Sequence, residues 1–405
     1  MDMVLEGRTG PVPSGGGFEL SQAACGVTGT RRKGNPSLLG PAVSLYSDLC
    51  VRISRLVMSK NIGSPTFAEV RARIARIPRL DIAIKNTPLI EACNLAKYLG
   101  GPRLFVKRDD LTGIALGGNK LRNLEFRLAV TMAEQADLVI VGLDLQSNSA
   151  RQTVGACNKL GLDTILVLQG ERPEQIQGNV LVDYLLGAEI HFARDPHEQR
   201  RLMDSLFAAC KADGRRPHIL NDNPMFEVAS ALAYLETLIE MHEQLDAIGA
   251  KATAFYMSSS GKGAAGFEIA RKLFGGFAVH CVTATSEFNV PARTALIANQ
   301  TCEALGLDLR VDATDITNHA DFVGQQYGVP NLAGNEALQL FARKEGLILD
   351  PIYTGKAAAA MVAHVREGRF AEDDLIVFVH TGGCPAIFTW NQLWSETGMQ
   401  TLPSR

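Results

Sequence analysis

Apolar runs that end in a glycine- or serine-rich turn and then resume at helical spacing recur along this chain. LFVK (104–107) leads to GGNKLRNLEF (117–126), LVIVGLDL (138–145) to QSNSARQT (146–153), and ATAFYM (252–257) to SSSGKGAAGFEIARKLF (258–274). IVFVHTGGCPAIF (376–388) is a further buried run that stops at glycines, and TILVLQ (164–169) and AVHCVTAT (278–285) add strands. Helical spacing predicts helices at 121–135, 150–160, 178–187, 226–247, 263–274 and 334–345. Strand followed by helix, repeated without an internal repeat or a long charge run, calls for parallel strands with crossover helices on both faces, an α/β fold.

The turns carry the chemistry. Lys120 follows two glycines at the mouth of a helix. There an amine is partly desolvated, which lowers its pKa and frees it to condense with an aldehyde, although a solvated first-turn charge is the ordinary alternative. Ser147, Asn148 and Ser149 offer hydroxyls, an amide and first-turn N–H groups suited to a carboxylate or phenolate oxygen; a plain N-cap accounts for the same residues. Ser258 to Gly263, with Ser260, Gly261 and Lys262 among them, would wrap N–H groups and a cation around a phosphate. The turn matches neither GxxxxGK[ST] nor GxGxxG. With His380, Thr381, Gly382 and Gly383 ending the last strand, these sites point to a small phosphorylated cofactor.

GGNKLRNLEF, QSNSARQT, LDPIYTGKA (349–357) and HTGGCPAIF, in this order, closely resemble the D-cysteine desulfhydrase and 1-aminocyclopropane-1-carboxylate deaminase family, which also contains L-cysteate sulfo-lyase. RIPRLDIAIKNTPLIEACNLAKYLGGPRLFVKRDD (76–110), GNVLVDYLLGAEI (178–190) and YGVPNLAGNEALQLFARKEGLILDPIY (327–353) agree, so the resemblance covers roughly 75–395.

The resemblance implies a tryptophan synthase β-like fold (fold type II): two open twisted, mostly parallel sheets flanked by helices, with pyridoxal 5'-phosphate in the cleft between them. A small α/β domain is expected at 120–235 and a large cofactor-binding domain at 61–119 and 236–405, after a flexible extension at 1–60. Lys120 would hold the cofactor as a Schiff base and then act as base. Asn148 would meet the phenolic oxygen, Ser147, Asn148 and Ser149 the substrate, and Ser260, Gly261, Lys262 and Gly263 the phosphate. Tyr327 and Tyr353 would line the active site. A small amino-acid substrate and a homodimer are expected.

Family deaminases read DPVYEGK where this chain reads DPIYTGK. Thr354 or Thr381 would therefore face the pyridine nitrogen with a hydroxyl in place of a carboxylate, leaving a weaker electron sink. That favours β-elimination: a carbon–sulfur lyase acting on D-cysteine or L-cysteate, releasing sulfide or sulfite, pyruvate and ammonia. The alternatives are cyclopropane deamination, racemisation and β-replacement. Ser149, Asn123 and the segment NDNPMFEVASALAYLE (221–236) depart from the family pattern. Lys262 either replaces the phosphate cation missing at Asn123 or reaches an anionic substrate group such as a sulfonate.

Composition agrees. Forty basic against 43 acidic residues give a net charge of −3 with no basic stripe, so nucleic acid and membrane are not expected partners. Eight scattered cysteines show no CxxC and no metal spacing with histidine, which suits a reducing cytoplasm without a bound metal. Residues 1–40 are rich in Gly, Pro and Ser, and Met58 is a plausible alternative start; Asp2, Glu6 and Glu19 argue against a transit peptide.

Overall fold

Phe105, Phe255 and Val377 point to one side of a six-stranded sheet, and their chain neighbours Leu104, Tyr256 and Phe378 to the other. A strand turns successive side chains to opposite faces, so an unbroken apolar run serves two cores at once. The structure, a computed structural model, describes residues 65–390. The expected extension at 1–60 lies outside the described residues.

The strands are β1 (Leu89–Glu91), β2 (Arg103–Lys107), β3 (Leu138–Asp144), β4 (Asp163–Gln169), β5 (Glu189–Ala193), β6 (Pro217–Ile219), β7 (Ala254–Ser258), β8 (Ala278–Val282), β9 (Asn318–His319) and β10 (Leu375–Val379). The helices are α1 (Phe67–Ile74), α2 (Cys93–Leu99), α3 (Lys120–Ala133), α4 (Asn148–Leu160), α5 (Gly178–Leu185), α6 (Pro196–Ala212), α7 (Val228–Asp246), α8 (Lys262–Phe274), α9 (Val290–Leu305), α10 (Leu332–Glu345) and α11 (Thr354–Arg366).

The larger sheet has the order β1-β2-β10-β7-β8-β9 and the smaller the order β5-β4-β3-β6. Every pairing is parallel except β1 with β2. One core of the large sheet takes side chains from α7, α8 and α9, the other from α2, α10 and α11. In the small sheet Val139 and Leu166 face one core while Ile140 and Val167 face another.

Local sequence sets several boundaries. Asp195 caps α6 by accepting the His197 and Glu198 N–H groups at 2.8 Å, with Pro196 at the first helical position. Ser147 caps α4, which ends at Gly161 in the left-handed region. Short β1, β5, β6 and β9, and helices α1, α2, α6, α9 and α11, were not among the predicted elements; several of these strands are edge pieces with little apolar pattern of their own.

Helix α3 differs from an ordinary amphipathic helix, because Leu121 to Thr131 are buried all round it. Phe126 joins the core of the large sheet, while Leu121, Leu124 and Leu128 join a core of the small one. Two of its charged side chains find partners on neighbouring segments. Arg122 reaches Asp109 at 2.8 Å and Glu240 at 3.0 Å, and Glu125 accepts the Ile82 and Ala83 N–H groups at 3.0 Å. Among the described residues no helix is long and apolar enough to cross a membrane.

Candidate active site

Three of the motifs meet at the start of α3. The Asn119 N–H donates to the Thr381 carbonyl at 3.0 Å, and the Leu121 N–H to Gln152 Oε1 at 3.0 Å. Gln152 Nε2 in turn donates to the Asn148 carbonyl at 2.9 Å. The helix that opens on Lys120 is thus capped by the strand-end loop after β10 and by the first turn of α4. The glycines are required by proximity: a Cβ at Gly382 (φ +99°) would stand 2.9 Å from Gly118 Cα, and one at Gly118 (φ +121°) 2.5 Å from Gln152 Nε2.

Lys120 faces a cavity of about 620 Å³. Among the described residues its amine makes no hydrogen bond or ion pair. Burial pushes it down to about 8, with Arg127 adding to the push and Asp350 opposing it. An appreciable fraction is therefore free base near neutral pH.

Of the residues expected from sequence, Lys120, Ser260, Lys262, Gly263, Tyr327 and Tyr353 line this cavity. Ser147, Asn148, Ser149, Gly261, Thr354 and Thr381 are not among its lining residues. Ser147 Oγ accepts from the Ser149 and Ala150 N–H groups at 3.1 and 3.3 Å, so it serves as the N-cap in this state. Asn148 Oδ1 accepts from Asn179 Nδ2 at 3.0 Å, which orients the amide and leaves its own Nδ2 without a protein partner among the described residues.

Thr354 differs from expectation. Its hydroxyl donates to the Asp350 carboxylate at 2.5 Å and accepts the Asp350 N–H at 2.7 Å. The buried Asp350 carboxylate collects the Ile352, Tyr353 and Thr354 N–H groups as well. Thr354 therefore closes the DPIY turn, because a buried carboxylate needs its lone pairs filled, and its hydroxyl is not directed at the cavity. Thr381 lies beside Asn119 through its carbonyl.

The first turn of α8 is an anion cradle. Ser259 Oγ takes the Gly261 and Ala264 N–H groups at 3.2 and 3.1 Å, while the Ser260, Lys262 and Gly263 N–H groups have no protein acceptor among the described residues. Lys262 Nζ sits 3.2 Å from the Phe226 ring centroid, donates to the Phe226 carbonyl at 3.2 Å and lies 3.3 Å from Glu227. Burial lowers its ammonium to about 7, against the pull of Glu227. Arg293 pairs with Glu227 at 3.3 Å beside it. Phe226 and Glu227 belong to 221–236, the segment that departs from the family pattern; this departure was the one sequence signal for them.

In the lining of the same cavity the Tyr327 and Tyr353 hydroxyls are 2.5 Å apart, and Tyr327 donates to Asp144 at 3.0 Å. Burial raises both phenols, and at Tyr327 the Tyr353 and Asp144 neighbours add to the effect. Both remain protonated at neutral pH. Asp144, Gln152, Asp350 and Arg293 were not singled out in the sequence, because polar residues at strand ends and in helices carry no distinctive spacing.

Residues 80–382 match the family described as "Pyridoxal-phosphate dependent enzyme". The chain belongs to that family. Within it, the chain is 32% identical over 334 residues to a D-cysteine desulfhydrase of Serratia proteamaculans (strain 568), covering 80% of this chain and 98% of the relative. It is 35% identical over 328 residues to a D-cysteine desulfhydrase of Salmonella newport (strain SL254), covering 78% and 98%. A solved structure described as an ACC deaminase homologue superposes with a TM-score of 0.71 at 28% identity, covering 80% of this chain and 97% of the other. The processed form of threonine deaminase isoform 2 from Solanum lycopersicum, with a TM-score of 0.55 at 16% identity, shares the fold.

The site fits the cofactor of this pyridoxal-phosphate dependent enzyme. An unpartnered amine suits the aldehyde, the three free N–H groups and Lys262 suit the phosphate, and the free Asn148 Nδ2 suits a phenolate oxygen.

Proposed function

We propose that the protein is a carbon–sulfur lyase performing α,β-elimination on a small amino acid with sulfur on its β-carbon, of the D-cysteine or L-cysteate type. The observation that carries this reading is the unpartnered Lys120 amine, with its pKa lowered to about 8, in a cavity that also holds the hydrogen-bonded tyrosine pair. The likeness to D-cysteine desulfhydrases over most of both chains supports the substrate class.

Pyridoxal phosphate, when bound, supplies an aldehyde for amines and a ring that takes up the electron pair left when the Cα–H bond breaks. Lys120 would carry the cofactor, and its amine would also be the group that accepts the Cα proton at Nζ. The N–H groups of Ser260, Lys262 and Gly263 at the start of α8, together with the Lys262 ammonium, would hold the phosphate. Asn148 Nδ2 would donate to the ring oxygen, and the first turn of α4, with Ser147 and Ser149, would receive the substrate carboxylate. Thr381, rather than Thr354, would be the hydroxyl available to the ring nitrogen.

Tyr353, protonated and hydrogen-bonded to Tyr327, holds a proton for the sulfur that leaves with the C–S electron pair. Water then converts the unsaturated amine to pyruvate and ammonia. The small domain at 120–235, the large one at 61–119 and 236–405, a homodimeric state and a cytoplasmic location belong to the same proposal.

The holoenzyme should be offered D-cysteine, L-cysteate, β-chloroalanine and 1-aminocyclopropane-1-carboxylate, with pyruvate, sulfide, sulfite and 2-oxobutyrate measured. Pyruvate in step with sulfide or sulfite is the expected result. Formation of 2-oxobutyrate alone would replace the reading with cyclopropane deamination.

A further inference from the structure

His280 on β8, His319 on β9 and His364 on α11 are far apart in the chain, yet one ring nitrogen of each lies within 4.8 Å of the other two. None of them lines the active-site cavity. His280 Nδ1 and His319 Nε2 are 3.0 Å apart. His364 Nδ1 is 2.7 Å from the Tyr256 hydroxyl. Tyr256 stacks on the His280 ring with centroids 4.4 Å apart, and Phe370 and Phe322 pack at the margins.

Zinc–nitrogen bonds of about 2.0–2.1 Å in a tetrahedron set neighbouring ligand nitrogens roughly 3.3–3.4 Å apart. The His280–His319 pair is already near that separation, and side-chain rotation of the third ring closes the remainder. The Tyr256 contact gives His364 a partner at Nδ1, which frees Nε2 as a ligand in the manner of outer-shell groups around metal-binding histidines. Arg369, the cation that would oppose a metal here, is paired with Glu367 at 2.7 Å. His280 and His319 are half-buried, so both keep some contact with solvent.

We propose that His280, His319 and His364 form a binding site for one zinc ion, separate from the active site. Three neutral imidazoles and no carboxylate in the set suit a borderline transition metal rather than Mg²⁺ or Ca²⁺. On binding, each neutral ring gives a lone pair; the ring that donates in the His280–His319 contact moves that proton to its other nitrogen through solvent, so there is no net proton release and no oxidant or reductant is needed. The metal fastens the two-residue edge strand β9 to β8 and α11. The chain leading from β9 to Tyr327 is thereby anchored at its start.

Untagged holoenzyme should be incubated with Zn²⁺, desalted, and assayed for bound zinc, melting temperature and affinity by calorimetry. About one zinc per chain and a raised melting temperature are expected. His319→Asn should retain the cofactor's visible absorbance and lose the zinc. Tyr256→Phe should weaken zinc affinity roughly 10–100-fold. If His319→Asn does not fold, His280→Phe decides, since it keeps a ring on Tyr256 and removes a ligand. Parent enzyme that desalts free of zinc, or a histidine variant that binds zinc as tightly as the parent, would overturn the proposal and leave the three rings as an aromatic cluster only.

Discussion

The Tyr327 and Tyr353 hydroxyls lie 2.5 Å apart, and Tyr327 continues the contact to Asp144 at 3.0 Å. Asp144 ends β3 of the small sheet, whereas Tyr353 immediately precedes α11 against the large one. The contact therefore links the two layers in the wall of the cavity that Lys120 also lines.

Tyr353→Phe removes the hydroxyl that faces the leaving sulfur in this reading. Turnover of D-cysteine should fall about 10²–10⁴-fold with the cofactor's visible absorbance retained. Steady-state kinetics with an unchanged kcat would exclude the hydroxyl from proton transfer.

Lys120→Ala removes the covalent tether and the base together. Turnover should fall by more than the roughly 10²–10⁴-fold of a single general base, and the absorbance of lysine-bound cofactor should vanish. Far-UV circular dichroism should match the parent, since the Lys120 amine makes no hydrogen bond among the described residues. Turnover near the parent rate would remove the central assignment.

Lys262→Ala should raise the dissociation constant for pyridoxal phosphate roughly 10–150-fold, the equivalent of about 1.5–3 kcal/mol for a charge-assisted contact. All substrates should be affected alike once cofactor is saturating. Titration of apoenzyme measures it; an unchanged constant, with cysteate turnover lost selectively, would move Lys262 from phosphate to sulfonate recognition.

The two lysines give opposite pH dependences. Lys120 becomes free base as pH rises through about 8, so cofactor capture by apoenzyme should speed up across that interval. Lys262 loses its charge as pH rises through about 7, so initial phosphate binding should weaken over its own interval. In Lys262→Met the weakening should disappear while the Lys120 step remains. Stopped-flow absorbance resolves both, and a capture midpoint at the ordinary lysine pKa would contradict the desolvated amine.

Gly266→Ala tests the support beneath the phosphate cradle. A Cβ there would stand 2.3 Å from the Ala231 carbonyl oxygen and 2.6 Å from the Leu235 nitrogen, both backbone atoms of α7. The helices must separate, at a cost of about 1–3 kcal/mol. A lower denaturation midpoint with weaker cofactor retention is expected; a parent-like midpoint would mean the helices yield freely.

The long elements were legible because their patterns are local. LVIVGLDL, TILVLQ and LIVFVH appear as β3, β4 and β10, and the helices expected at 121–135 and 263–274 appear as α3 and α8, since each carries its own apolar period and its own glycine turn. The ordered motifs likewise placed Lys120, Lys262, Tyr327 and Tyr353 around one cavity. The roles of Thr354 and Ser147 were not legible in that way. Whether a hydroxyl faces a ligand or fills a neighbour's hydrogen bond depends on which acceptor is closer, and in this state Asp350 and the α4 N–H groups are.

The sequence by itself determined the alternation of strand and helix and the glycine turns, because these follow from spacing within about twenty residues. Tertiary structure alone decided that Phe226 and Glu227 hold Lys262, that Gln152 ties α4 to the lysine helix, and that three histidines from β8, β9 and α11 converge. Those relationships join residues dozens of positions apart, and they exist only once buried apolar faces have fixed how the layers pack.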